Sequence, residues 1–242
     1  MKQAPRTIFL SLLCAFLLGV PLVLEAEDFV KSIDDLDTLD RKAARGDNEA
    51  LFNLAIRYAN GEGLEKDPEK ATQLLLQAAD QGYVHAQLLL ARLNKSRGEE
   101  EGALYWLKRA ADQDDLNAQT DLGAHYFEKQ DYDNAFKWLY RAARKGHPEA
   151  QYGVGILYRE GWGVGKNPRE AKRWIKQAAM QGNAKAQLQY GGMILDESSK
   201  PSQSEAGMVE VDAQAIKWIQ KAAAQGLPEA QQVLENLGQS PE

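Results

Sequence analysis

The stretch EGWGVGKNP, residues 160–168, is where nucleotide chemistry first suggests itself, with three glycines and a lysine in nine positions. A phosphate-binding loop needs a glycine, four residues and then Gly-Lys-Ser/Thr. Its backbone N–H groups ring the phosphates and its hydroxyl holds magnesium. Here Asn167 follows Gly165-Lys166, and Glu160 stands where the turn glycine belongs. The preceding GVGILYRE has helical rather than strand spacing, so the strand–loop–helix context is missing too.

Other chemistry is equally thin. His85, His125 and His147 form no i, i+4 pair and no HExxH, so no metal site is expected. There is no G-x-S-x-G nucleophile elbow and no S-x-x-K with its partner motifs. The carboxylate clusters GEEEG (98–102) and DQDD (112–115) read as solvated faces rather than acid/base pairs. No catalytic or cofactor-binding residue is expected, and the chain is read as non-enzymatic.

Charge narrows the partners. The chain carries 29 Lys and Arg against 35 Asp and Glu, net −6. Nucleic-acid binding depends on neutralising phosphates with basic side chains, so that class is set aside. Lys2 and Arg6 precede the apolar run IFLSLLCAFLLGV (8–20), then Pro21 and the small Ala26. This layout predicts a signal peptide over 1–26, cut after Ala26, and a periplasmic or secreted chain. An uncleaved anchor is the alternative, because Leu22, Val23 and Leu24 extend the run toward the roughly 20 residues a span needs. The single cysteine, Cys14, lies in this segment, so a cleaved chain has no disulfide or thiolate–metal site.

The remaining chain repeats itself. AQYGVGILYREGWGVGKNPREAKRWIKQAAMQG (150–182) matches ALFNLAIRYANGEGLEKDPEKATQLLLQAADQG (50–82) position for position. Shorter copies begin at Ala86 and Ala118, and a fifth, carrying an insertion, begins at Ala186. Units of this size cannot bury their own apolar faces and must stack. Each unit reads as two helices. Leu51, Leu54, Ala55 and Tyr58 give the i, i+3, i+4, i+7 stripe of the first; Ala171, Trp174, Ile175 and Ala178 give that of the second. Asp67-Pro68 and Asn167-Pro168 read as helix starts, and Gly82, Gly146, Gly182 and Gly226 as helix stops. Gly161 and Gly163 occupy the places of Gly61 and Gly63, so the opening stretch is a turn between two helices.

The recurring pattern A-Q-x-x-L-G-x-x-Y-x-x-G-x-G-V, then (D/N)-P-x-x-A-x-x-W-x-x-x-A-A-x-x-G, resembles the Sel1-like repeat, a relative of the tetratricopeptide repeat. The resemblance spans about residues 43–238. It implies an all-α fold, a right-handed α-solenoid of about five helix-turn-helix repeats. The expected divisions are 47–82, 83–114, 115–146, 147–182 and 183–227, with capping helices at 27–46 and 228–242. It also implies a scaffold or adaptor role. Relatives of similar build serve envelope machines or inhibit sensor kinases. The β-lactamase label given to some cysteine-rich relatives does not carry over, because neither their cysteines nor a serine motif is here.

Trp106, Trp138, Trp174 and Trp218 share one repeat position, which predicts packing between units rather than a ligand ladder. Trp162 differs, because it lies in a connector opposite Glu62. Partner contact is expected on the concave side, lined by first helices if the tetratricopeptide likeness holds. The candidates are Phe52, Ile56, Leu88, Arg92, Thr120, Phe127, Tyr152, Arg159, Trp162 and Leu188. Such a mixture of apolar side chains and arginine suits an extended peptide or a partner helix. Phe52, Leu88, Tyr152 and Leu188 share one register, so packing between helices is the competing reading. The insertion DESSKPSQSEAG (196–207) reads as a loop from its composition. The expectation is a periplasmic scaffold for a cell-envelope protein or peptide. Glycan or peptidoglycan binding, with Trp162 and Tyr132 stacking on sugar, is the alternative, and a hydrolase the third.

Overall fold

The computed structural model describes residues 36–198 and 205–239. The segment 1–26, with Cys14 and Ala26, lies outside the described residues. Every regular element among the described residues is an α-helix. In chain order these are α1 (Leu36–Ala44), α2 (Asn48–Asn60), α3 (Pro68–Asp80), α4 (Val84–Ser96), α5 (Glu100–Asp112) and α6 (Leu116–Glu128). They continue with α7 (Tyr132–Arg144), α8 (Pro148–Glu160), α9 (Pro168–Met180), α10 (Ala184–Ser198), α11 (Glu205–Ala224) and α12 (Pro228–Asn236). The chain forms two compact units, divided between Ala118 and Gln119 inside α6.

Local chemistry sets the helix ends. The Asp47 carboxylate accepts from the Ala50 N–H at 2.8 Å, Asp67 from Lys70 at 2.9 Å, and Asn167 from Glu170 at 3.2 Å. Each satisfies one of the donors a helix start leaves unpaired. Pro68 and Pro168 follow their caps at the first helical position, where a missing N–H loses nothing. Second helices stop on left-handed glycines: Gly82, Gly146 and Gly182 have φ of +91°, +97° and +92°. In the second repeat Asp114 holds the same place at φ +67°, an uncommon conformation for a residue with a Cβ.

In the first unit, Leu51, Leu54, Leu75, Leu90 and Trp106 are buried in one cluster, with Leu39 of α1 at its end. In the second, Leu139, Val154, Leu157 and Trp174 form one cluster, and Ile175, Tyr190 and Ile194 the next. A third, of Ile219 and Leu234, joins α11 to α12. Paired helices approach closely where a glycine faces the partner: a Cβ on Gly155 would lie 2.5 Å from Ile175, and one on Gly123 would lie 2.6 Å from Leu139.

One expectation needs correction. The insertion is not simply a loop: residues 196–198 finish α10 and residues 205–207 begin α11. These helices run 15 and 20 residues where those of the preceding repeats run 13. Ser, Pro and Lys signal irregular chain locally, but a helix already packed by Ala215 and Ile219 extends through weak formers at little loss. Residues 199–204 lie outside the described residues.

Candidate functional site

The residues that the repeats share are used to build the stack. The recurrent Ala-Gln pair is the clearest case. Gln87 is fully buried, donates to the Ala79 carbonyl at 2.9 Å and accepts from Gln113 at 2.8 Å. Gln151 does the same between the Ala143 carbonyl (3.3 Å) and Gln181 (2.7 Å), and Gln187 between Ala179 (3.2 Å) and Gln225 (2.8 Å). Each bridge ties the end of the preceding repeat's second helix to the end of its own. It thereby gives a second donor to a carbonyl that already accepts from the N–H of Gly82, Gly146 or Gly182. Sequence reasoning passed over these glutamines. A polar residue recurring in an otherwise apolar register was the signal that could have found them.

The tryptophans are also structural. Trp106, Trp138 and Trp174 are buried at 6–9% exposure, and Trp218 is half-buried. Tyr140 meets Trp174 edge-on at 5.8 Å, and Tyr190 meets Trp218 at 5.6 Å. Cations roof the rings: Arg173 lies 4.9 Å from the Trp174 centroid and Lys221 lies 4.5 Å from that of Trp218.

The groove candidates divide by exposure. Phe52, Leu88 and Thr120 are buried, so they pack between helices and offer little surface to a ligand. Ile56, Arg92, Phe127, Tyr152, Arg159 and Leu188 are half-buried. Phe52 touches Tyr83 (5.6 Å) and His85 (6.3 Å), forming an aromatic trio of the first unit. Burial pushes the Tyr83 phenol above its ordinary value, and the Glu49 and Asp47 carboxylates push the same way. Burial likewise raises Tyr152, while the Arg159 guanidinium offsets part of that rise. Arg159 also pairs with Glu160 at 2.6 Å.

Trp162 is 39% exposed, but one face is taken. It stacks on Tyr132 at 4.8 Å and 17°, and lies 5.9 Å from Phe127. The connector therefore leans on the repeat before it.

Among the described residues no group of three or more His, Cys, Asp or Glu is placed to hold a metal ion. His147 lies 3.1 Å from the Thr120 hydroxyl and 3.4 Å from Glu149, while His85 belongs to the trio above. No helix of the described residues is long and apolar enough to cross a membrane.

Stacked helix pairs, helix ends tied by glutamine bridges and aromatics spent on packing define an α-helical repeat protein. The family model for the Sel1 repeat matches residues 48–83, 84–115, 116–147, 148–183 and 184–227. The chain belongs to the Sel1 repeat family. It is similar to the crystal structure of a Sel1 repeat protein from Oxalobacter formigenes, with 29% identity over 83% of each chain and a TM-score of 0.68. It is also similar to c5321, a protective antigen of uropathogenic Escherichia coli strains with an SLR fold. There identity is 26%, the TM-score is 0.59, and the match covers 82% of this chain and 50% of that one. No curated protein matches the chain. Proteins of this family generally mediate protein–protein interaction and are typically non-enzymatic.

Proposed function

We propose that this chain is a non-enzymatic scaffold of the cell envelope, exported by its first 26 residues, which binds a partner protein on the outward positions of its first helices. The observation that supports this reading is the division of labour between positions. Alanine, glutamine, tryptophan and glycine, which recur from repeat to repeat, close the core. Arg92, Phe127 and Arg159, which do not recur, stay half-exposed. Apolar and guanidinium groups side by side are the composition of protein interface centres, where aromatic residues and arginine are enriched. A sugar site would want the free faces of Tyr132 and Trp162, and one face of each ring is taken by the other.

The test is affinity capture. The immobilised full chain is exposed to detergent-solubilised envelope of the source organism, and retained material is identified by mass spectrometry. One envelope protein enriched above background is the expected result. Retention of glycan fragments alone would favour the sugar reading and overturn this one.

A further inference from the structure

Successive second helices carry one outward stripe in equivalent register, and its charge changes sign along the chain. In the first unit the stripe runs Glu69, Gln73, Gln77, Asp80 on α3 and Glu101, Tyr105, Arg109, Asp112 on α5, net −3. Its one cation is already used, since Arg109 pairs with Asp80 at 3.2 Å. In the second unit the same positions hold Asp133, Lys137, Arg141 and Arg144 on α7, then Arg169, Arg173, Gln177 and Met180 on α9. On α11 they hold Lys217 and Lys221, for a net +6 across the three helices.

Among the described residues Lys137, Arg144, Arg169, Lys217 and Lys221 form no ion pair. Arg173 pairs with Glu170 at 2.5 Å, and Lys172, off the stripe, pairs with Glu197. Several of these cations lie against tryptophan rings. Lys137 and Arg141 sit 5.5 and 5.6 Å from the Trp138 ring centroid, Arg173 over Trp174 and Lys221 over Trp218. The stripe positions thus form a row whose steps are set by helix stacking, about 10 Å from one second helix to the next.

We propose that this row on α7, α9 and α11 is a docking surface for an extended, carboxylate-rich segment of a partner protein. The proposal rests on the scaffold reading and adds a second face and the partner's chemistry to it. An extended chain advances about 3.3 Å per residue, so carboxylates at every third position fall about 10 Å apart and meet successive helices. The arginines of the row can take each carboxylate through two parallel N–H donors. Two other polyanions fit less well. Membrane-surface modules add apolar insertion to their charge, and among the described residues of α7, α9 and α11 Met180 is the one exposed large apolar residue. Nucleic-acid binders carry a basic balance over the whole domain, and this chain is net −6.

The test uses the full chain and two labelled peptides of identical composition. One carries Glu at every third position between Ser and Gly; the other has its glutamates in one block. Fluorescence anisotropy at low salt should show the spaced peptide binding about tenfold more tightly than the blocked one, and weakening steeply as salt rises. Lys137→Glu/Arg169→Glu/Lys217→Glu should weaken the spaced peptide about a hundredfold or more at an unchanged melting temperature, and the Gln versions should weaken it less. Equal binding of both peptides, or no loss in the triple variant, would overturn the proposal. Tighter binding to phosphatidylglycerol vesicles than to the spaced peptide would overturn it in favour of a lipid surface. If the peptides fail while envelope capture still yields one partner, the row is refuted and the scaffold reading stands. If capture fails while the peptides bind as expected, the reverse holds.

Discussion

The long connectors at 61–67 and 161–167, one in each unit, follow the same hydrogen-bond plan in different surroundings. In both, the first glycine caps the preceding helix in the left-handed region, at φ +75° for Gly61 and +82° for Gly161. The N–H before each proline then returns to a tyrosine carbonyl, Asp67 to Tyr58 at 2.9 Å and Asn167 to Tyr158 at 2.8 Å. The second glycines part company. Gly63 (φ +73°) has nothing within 4 Å of where a Cβ would stand. A Cβ on Gly163 (φ +64°) would lie 2.1 Å from the Tyr132 carbonyl oxygen. Backbone conformation explains glycine in both places, but close approach to a preceding repeat explains it only in the second. A family pattern therefore records what a connector must do by itself, not what its neighbours require of it.

That difference has measurable consequences. Gly163→Ala adds strain at positive φ to a collision with backbone, and should destabilise by about 4 kcal/mol. Gly63→Ala adds only the conformational strain, about 1 kcal/mol. Denaturant melts of the two variants check this, and equal losses would break the comparison. Trp162→Ala removes a half-exposed ring stacked on Tyr132 and should lose about 1–2 kcal/mol. Glu62→Ala, its exposed counterpart, should stay within about 0.5 kcal/mol of the parent. The caps should behave alike: Asp67→Ala and Asn167→Ala should each lose about 1 kcal/mol, because their bonds are local. One effect has the opposite sign. Gln130 sits at φ +60° where the preceding repeat has Gly98 at +74°, so Gln130→Gly should raise stability by about 0.5–1 kcal/mol. A lower melting temperature would show that the Gln130 side chain contributes more than its backbone strain removes.

What the sequence made legible follows the same division. Helix starts at Asp67-Pro68 and Asn167-Pro168, stops at Gly82 and Gly182, and the shared role of the tryptophans depend on nearby residues or on the repeat itself. All were readable. The covering of Trp162 was not, because Tyr132 lies thirty residues earlier and the matching connector at 61–67 gave no hint of a neighbour. The Ala-Gln bridges were hidden for a related reason. A glutamine's partners, such as the Ala143 carbonyl and Gln181 around Gln151, lie on two different helices. Among the candidate contact residues, Phe52, Leu88 and Thr120 proved to be buried. Periodicity marks a face of a helix but not how deep the next helix sits against it.

The central claim is that unshared positions meet the partner while shared ones hold the stack. The most direct measurement compares the parent chain with Arg92→Glu/Arg159→Glu in quantitative capture of the envelope partner, with melting temperature recorded on the same samples. The predicted result is capture lost at a melting temperature within a few degrees of the parent's, since both arginines are half-exposed. Capture retained in full by a folded double variant would contradict it.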